Sequence, residues 1–338
     1  MSISSSRSGS SGLSGRSKSG RSKSARREAR WAEALGMLAG VAIDAAFADP
    51  RRGHPVALFG TAAAALEKRV YGDARSRGVL YVGLCVGPVA LLGYAATRGG
   101  NPVVRGVLSA VTTWSVLGGT TLGREGVAMA EFLEDGDLEG ARGRLSHLCG
   151  RDPSRLEAPE LARATVESIA ENTSDAVVAP LFWGAVAGVP GLLAYRAINT
   201  LDAMVGHHNA RYEHFGWAAA RLDDVANFVP ARITGLLTVL AAPLAGGSVS
   251  EAAAVLRRDG HRHPSPNAGR CEAAFAGALD VTLGGTNVYG SRVEHRPEMG
   301  RGPKPEVQDI RRSVRLARAV GFAAAGLAVL AALRGTRR

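Results

Sequence analysis

Lysine is almost missing from this chain of 338 residues, occurring only at positions 18, 23, 68 and 304 and never after a glycine. A Walker-type phosphate loop is thereby excluded, and any nucleotide must be held without one. Cysteine occurs three times, at Cys85, Cys149 and Cys271, with no CxxC spacing. Neither a disulfide framework nor a structural zinc site is indicated, and a reducing, cytoplasm-facing setting fits better. Aromatic residues make up 5% of the chain, too few for a surface that stacks bases. No HExxH, no Gly-x-Ser-x-Gly and no credible Cys/His nucleophile occurs, so direct hydrolase readings lose ground. The formal charge of +11 does not restore a nucleic-acid reading. Residues 1–30 hold eight Arg or Lys against Glu28 alone, which leaves only about +4 for everything after them.

What is abundant is apolar and small: 46% of residues are hydrophobic and 43 are glycine. Residues 1–30, nearly all Ser, Gly, Arg and Lys, are expected to form a disordered basic tail. Residues 31–338 are expected to form one membrane-embedded helical catalytic domain. Residues 32–50 resemble a signal-peptide core behind a basic region, but Asp44 inside the apolar stretch favours retention as a first membrane-associated helix. Four runs with little or no charge follow, at 78–97, 106–123, 176–195 and 233–250, each long enough to cross a hydrocarbon core. A shorter run at 319–333 is flanked by arginines. The alternative, that these are buried helices of a soluble protein, suits so many runs in one chain poorly. The predicted fold class is all-α and polytopic, with long polar segments between the spans that should carry function.

Three constellations in those segments carry chemistry. In ESIAENTSDAVVAP, residues 167–180, Glu167, Glu171 and Asp175 are spaced i, i+4, i+8 and form one acidic stripe on a helix, with Asn172 beside it. Hard oxygen ligands of this kind suit Mg²⁺; the same spacing also suits a solvated face. In YRAINTLDAMVG and FGWAAARLDDVANFVPARI, residues 195–206 and 215–233, Asp223, Asp224 and Asn227 share a face, with Arg221 and Arg232 near enough to pair with them. The group fits half of a metal or phosphate site, or a structural Arg/Asp network. In HRHPSPNAG, residues 261–269, Ser265 and Asn267 precede a small-residue helix, whose N-terminus can hold an anion or simply be capped.

Taken in order, Asp44-x4-Asp49-Pro50 with His54-Pro55-Val56, ESIAENTSDAVVAPLFW, YRAINTLDAMVG, FGWAAARLDDVANFVPARI, HPSPNAG and AGALDVTLGGTNVYG resemble the CobD/CbiB family of cobalamin biosynthesis, the adenosylcobinamide-phosphate synthases. The resemblance covers roughly residues 33–333. It implies a multi-pass protein of the cell membrane with a cytoplasmic active site. It also implies that ATP and Mg²⁺ are used to join the free propionate carboxylate of adenosylcobyric acid to aminopropanol or its phosphate. One departure stands out: His207, His208, Asn209 and Ala210 replace the more usual Tyr-Lys-Asn-Glu type of sequence, leaving Arg211 as the nearest cation.

On this basis Glu167, Glu171, Asp175 and His263 are the expected catalytic residues. Glu171, Asp175, Asp223 and Asp224 are the expected Mg²⁺ ligands, and Asp49, His54, Asn172, Asn199, Asp202, Arg221, Ser265, Asn267 and Asn287 are expected to bind substrate. Membrane lipid and other enzymes of the pathway are the further expected partners, and nucleic acid is not. A corrinoid transporter, or a corrinoid-binding scaffold, is the competing class. Strict alternation of all the apolar runs would place successive polar segments on opposite sides of the membrane. At least one run, either 32–48 or 176–195, should therefore be re-entrant or surface-lying.

Overall fold

The computed structural model describes residues 14–49, 53–98, 101–289 and 292–334. Pro50 and residues 1–13 of the basic tail lie outside them. Among the described residues twelve α-helices run in order as α1 (Ser14–Phe47), α2 (Pro55–Val70), α3 (Arg75–Thr97), α4 (Pro102–Val116), α5 (Gly119–Glu134), α6 (Leu138–Leu145), α7 (Ala158–Thr173), α8 (Ala179–Val205), α9 (Trp217–Ala241), α10 (Val249–Asp259), α11 (Ala268–Leu279) and α12 (Val307–Arg334). A π-turn, Ser174–Val178, joins α7 to α8. An antiparallel hairpin, β1 (Leu283–Tyr289) with β2 (Arg292–Met299), lies between α11 and α12.

Burial divides the molecule into two parts. Leu161, Ile169, Phe275, Leu279, Ile310 and their neighbours on α5, α6, α7, α10, α11 and the first half of α12 form one closed core, the cap. In the bundle the large apolar side chains point outward: Val79, Leu84 and Leu91 on α3, Val103, Val107 and Val111 on α4, Phe228, Leu236 and Leu240 on α9, and Phe322 and Leu330 on α12 are all exposed. Water does not tolerate so much contiguous apolar surface; lipid does. The protein is an all-helical polytopic membrane protein, with four helical segments long and apolar enough to cross a membrane.

The apolar runs do not map one to one onto spans. Residues 78–97 fall within α3, and 319–333 form the outer half of α12, as their hydropathy predicts. The run at 106–123 is divided, because α4 ends at Val116 and α5 begins at Gly119 after a turn in which the Gly118 amide donates to the Ala176 carbonyl (3.1 Å). The run at 233–250 is the second half of α9 with the 3₁₀ turn and the start of α10.

The run at 176–195 folds back on itself. Gly188, at φ 64° and ψ −148°, breaks α8 in a conformation that L side chains rarely adopt, two residues before Pro190. Leu192 then packs against Gly184, and Asn199 returns to within 3.4 Å of Asp175. Each leg is roughly 17 Å long at about 1.5 Å per residue, near half of a hydrocarbon core of about 30 Å. Of the two runs that the polar segments required to be re-entrant, this is the one that turns back.

The tail also departs from expectation over its described part, since α1 continues backwards to Ser14. Once an apolar helix is nucleated, each added residue gains a hydrogen bond without paying nucleation again. Arg30 on α1 lines a cavity with Arg98, Arg105 and Gly188, whereas Asp44 near the other end of α1 bonds to Thr120. The basic end of α1 and the acidic centre described below therefore occupy opposite faces of the bundle.

Close approach of α1 and α4 rests on small residues. A Cβ on Gly36 would overlap the Gly106 carbonyl, and one on Gly40 would lie 2.6 Å from the Ala110 carbonyl oxygen and the Thr113 side chain. Residues 36–40 read GMLAG, the small-xxx-small spacing that lets membrane helices touch. Gly36→Leu is expected to part the two helices and cost about 1–3 kcal/mol, read as a lower melting temperature of the detergent-solubilised protein.

Candidate functional site

The foot of the fold-back brings four polar side chains together. Asp175 sits in the π-turn, where the shift from i→i+4 to i→i+5 bonding offsets the register of everything after it. Asn199 comes from the returning leg of α8, and Asp223 and Asn227 come from α9. The Asn199 amide nitrogen lies 3.4 Å from Asp175 Oδ2 and 3.4 Å from Asp223 Oδ1. Asn227 Nδ2 donates to Asp223 Oδ2 at 2.9 Å, and its Oδ1 accepts from the buried Tyr195 hydroxyl at 2.9 Å. That hydroxyl also lies 3.2 Å from the Asp175 carbonyl, closing the fold-back on its own start.

Arg196, beside this centre, donates to Asn199 Oδ1 at 3.5 Å and lies in the electrostatic field of Asp49 and Asp175. His54 caps α2, its Nδ1 accepting the Val56 amide at 3.2 Å, which leaves Nε2 3.6 Å from Asp49 Oδ1. Asp49, His54, Asn199 and the half-buried Asp202, a turn further along α8, are thus on or next to the face that the motifs indicated. Tyr195 and Arg196 were passed over, although both stand at the head of the YRAINTLDAMVG segment.

The expected four-carboxylate metal set is not formed. Among the described residues no three His, Cys, Asp or Glu side chains converge on a cation position. Asp224 turns toward Arg221 (3.5 Å), so its carboxylate is engaged at the edge of α9. Glu171 sits apart from them on α7, where its charged neighbours are Arg296, Arg151 and Glu167. Two carboxylates, Asp175 and Asp223, and two amides do converge. That set fits Mg²⁺, which takes one or two protein carboxylates and fills its remaining positions with water and phosphate oxygens. Arg232 pairs with none of these groups: it donates to the Phe228 carbonyl at 2.6 Å, with its guanidinium over the Phe228 ring.

Glu167, the first member of the acidic stripe, is directed elsewhere. Only 2% exposed, it accepts from the Arg151 guanidinium, from Arg163 Nη1 at 3.2 Å and from the Gly284 amide at 2.7 Å. Arg163 also donates to the Gly284 carbonyl (2.6 Å), Asn287 Oδ1 (3.0 Å) and the Thr286 carbonyl (3.0 Å). Glu167 and Asn287 therefore pin the β-hairpin onto α7. Asn172 likewise donates to the Ser168 carbonyl (2.9 Å) and hydroxyl (3.2 Å) on its own helix. Arg211 is held by Glu67 (2.9 Å) and stacks on Tyr71, tying the loop after α8 to α2.

The 261–267 loop both caps and buries. Ser265 Oγ accepts the amides of Asn267 (3.3 Å) and Ala268 (3.2 Å), while Asn267 Nδ2 donates to the Asp224 carbonyl at 2.8 Å, fastening α11 to α9. His263 Nδ1 accepts the Ser265 amide at 3.0 Å, and its Nε2 faces the fully buried Glu272 at 3.9 Å, with Arg296 3.7 Å from the same carboxyl. Neither Glu272 oxygen accepts a hydrogen bond. Burial, with Glu167 and Glu171 nearby, pushes the Glu272 carboxyl well above the usual range, whereas burial and Arg296 pull His263 down to about 4. No sequence signal pointed to Glu272, which sits in the apolar helix AGRCEAAFAGAL.

These shifts set opposite pH dependences. His263 is neutral in the folded state, so its contribution is present above about pH 6.5 and is lost as pH falls toward 4. Glu272 binds its proton more tightly when folded, so its contribution is present below about pH 4.3 and is lost as pH rises. Glu272→Gln, which copies the protonated acid, is expected to gain stability over the parent progressively as pH is raised from 4 to 8. His263→Asn is expected to lose the acid-side drop. Melting curves across that range check both.

Fold and site together define a class: a polytopic helical membrane protein whose acidic, amide-lined centre lies at the foot of a re-entrant hairpin, beside a polar cap. The chain belongs to the CobD/Cbib family, whose model matches residues 37–317. It is 54% identical over 301 residues to the cobalamin biosynthesis protein CobD of Mycobacterium tuberculosis, covering 89% of this chain and 96% of that one. It is 48% identical to the CobD of Geobacter metallireducens (80% and 87% covered) and 44% to that of Rhodobacter capsulatus (84% and 93%). No solved structure matches the chain.

Proposed function

We propose that this protein is the amide synthase of cobalamin biosynthesis that joins the free propionate carboxylate of adenosylcobyric acid to 1-amino-2-propanol or its phosphate, at the expense of ATP, with the reaction facing the cytoplasm. The observation that carries the reading is the pairing of Asp175 and Asp223 around Asn199 at the foot of the fold-back, within reach of Arg196. A carboxylate is a poor acyl donor. ATP with Mg²⁺ would supply the phosphoryl group that activates it and the charge that shields the phosphates.

The chain's own residues would then do the rest. Asp175 and Asp223 hold the cation position, and the Asn199 and Asn227 amides fix their orientation. Arg196 faces phosphoryl oxygens with a guanidinium braced by Asn199. Glu171, one helical turn before Asp175, would take the proton that the amine must lose before attack. His263, buried against Glu272, supports the adjoining loop.

Incubating purified protein with adenosylcobyric acid, ATP, Mg²⁺ and each amine, with products read by mass, tests the reading. Formation of the amide in step with ATP consumption supports it, and its absence with both amines overturns it. The broken α8 is also a transporter trait. Corrinoid uptake by vesicles without ATP-dependent product would favour that class.

A further inference from the structure

The face opposite the acidic centre carries a cavity of about 560 Å³, formed where the tip of the fold-back meets α1, α3, α4 and the end of α12. Three arginines from three helices line it: Arg30 on α1, Arg98 just past α3 and Arg105 on α4. Glu33 takes Arg105 at 2.6 Å. Arg30 and Arg98 pair with no carboxylate among the described residues, and Arg98 lies over the Tyr94 ring, 5.9 Å from its centroid.

The same cavity offers an acceptor. Val186 lines it, and the helical partner of its carbonyl would be the amide of residue 190, which is proline and has none. A group that suits both features has an anion for the arginines and a hydroxyl donor close beside it. A bare anion uses the first only, and a cation is repelled.

The rim decides where such a group comes from. Leu91, Tyr94 and Arg98 are spaced i, i+3, i+7 and so share one stripe of α3, whose two apolar members are exposed, as are Val186 on α8 and Leu330 on α12. The walls that continue from the arginines therefore face hydrocarbon. A soluble phosphate ester has nothing to place against them; a phospholipid has its acyl chains. Six further basic residues of α1 precede Arg30 in the sequence and add to the attraction for an anionic surface.

We propose that this cavity is a binding site for an anionic phospholipid with a hydroxyl-bearing headgroup: the phosphodiester sits at Arg30 and Arg98, the hydroxyl donates to the Val186 carbonyl, and the chains run along Leu91 and Tyr94. Hydrating water shares the space with the headgroup. The site is separate from the acidic centre and stands whatever reaction that centre performs.

The test titrates the full chain in neutral detergent with dioctanoyl-phosphatidylglycerol, with dioctanoyl-phosphatidylcholine and with glycerol 3-phosphate, and reads binding by native mass spectrometry. Phosphatidylglycerol is expected to bind about tenfold or more tightly than the choline lipid, whose quaternary ammonium is repelled by the arginines and donates no hydrogen bond. Arg30→Ala and Arg98→Ala should each weaken it about fivefold while leaving the choline lipid within about twofold. Arg77→Ala removes a likewise exposed arginine from the opposite end of α3 and should change neither. Since Arg98 is exposed, its variant keeps the experiment decisive even if Arg30→Ala folds poorly. Equal affinity for the two lipids, indifference to both arginine variants, or the same loss in Arg77→Ala overturns the assignment. So does displacement of the lipid by glycerol 3-phosphate at comparable concentration, which would make the occupant a soluble phosphate ester.

Discussion

In Asp223→Asn, turnover is expected to fall on the order of 10²-fold or more, roughly 2.7 kcal/mol of transition-state stabilisation, with a raised Mg²⁺ requirement and an unchanged melting temperature. The side chain keeps its shape, and its Oδ1 can still accept from Asn227 Nδ2, the 2.9 Å contact that holds α9 to the centre. What disappears is one of the two charges that face Asn199. Rate against Mg²⁺ concentration for the variant and the parent decides the matter. Superimposable curves would remove Asp223, and with it the cation position, from the proposed chemistry.

Glu167→Gln should behave in the opposite way, although it removes the same charge from a residue eight positions before Asp175. Three donors converge on that carboxylate: the Arg151 and Arg163 guanidinium groups and the Gly284 amide. A glutamine amide would turn its own hydrogens on at least one of them and remove the charge that Arg151 and Arg163 share inside the cap. Breaking one side of a buried ion pair costs about 3–5 kcal/mol, a large part of a typical domain's stability. The expected result is loss of monodisperse protein on size exclusion, or a melting temperature far below the parent's. A well-folded variant with a purely kinetic defect would return Glu167 to catalysis.

That contrast shows where the sequence was informative and where it was not. Residues 78–97 and 319–333 are legible as helices because hydropathy reports which backbone segments lipid will accept. The reversal at Gly188 was legible in outline, since polar segments on both sides of 176–195 had to share a face and Pro190 weakened the helix. The acidic stripe misled because i, i+4, i+8 assumes unbroken α-helical register. The π-turn shifts Asp175 toward Asn199 and Asp223, while Glu167, two turns earlier, faces the β-hairpin. The split of 106–123 at Leu117–Gly118 was invisible because an uncharged run looks the same whether or not its backbone turns. Glu272 was invisible because its partners, His263 and Arg296, lie on either side of α11 in the chain and meet it only in the folded cap.

The tip of the hairpin has an electrical consequence. Breaking α8 at Gly188 leaves carbonyl groups at the end of the first leg and amides at the start of the second without helical partners, and hydrocarbon can satisfy neither. The cavity of about 560 Å³ at the tip, lined by Arg30, Arg98, Arg105 and Ser109, is polar and large enough to hold water. With water entering there from one face and reaching the acidic centre from the other, the insulating layer shrinks from about 30 Å of hydrocarbon to the roughly 17 Å length of the legs. The membrane voltage then drops over that shorter distance, so the field across the hairpin is nearly double that across the surrounding bilayer.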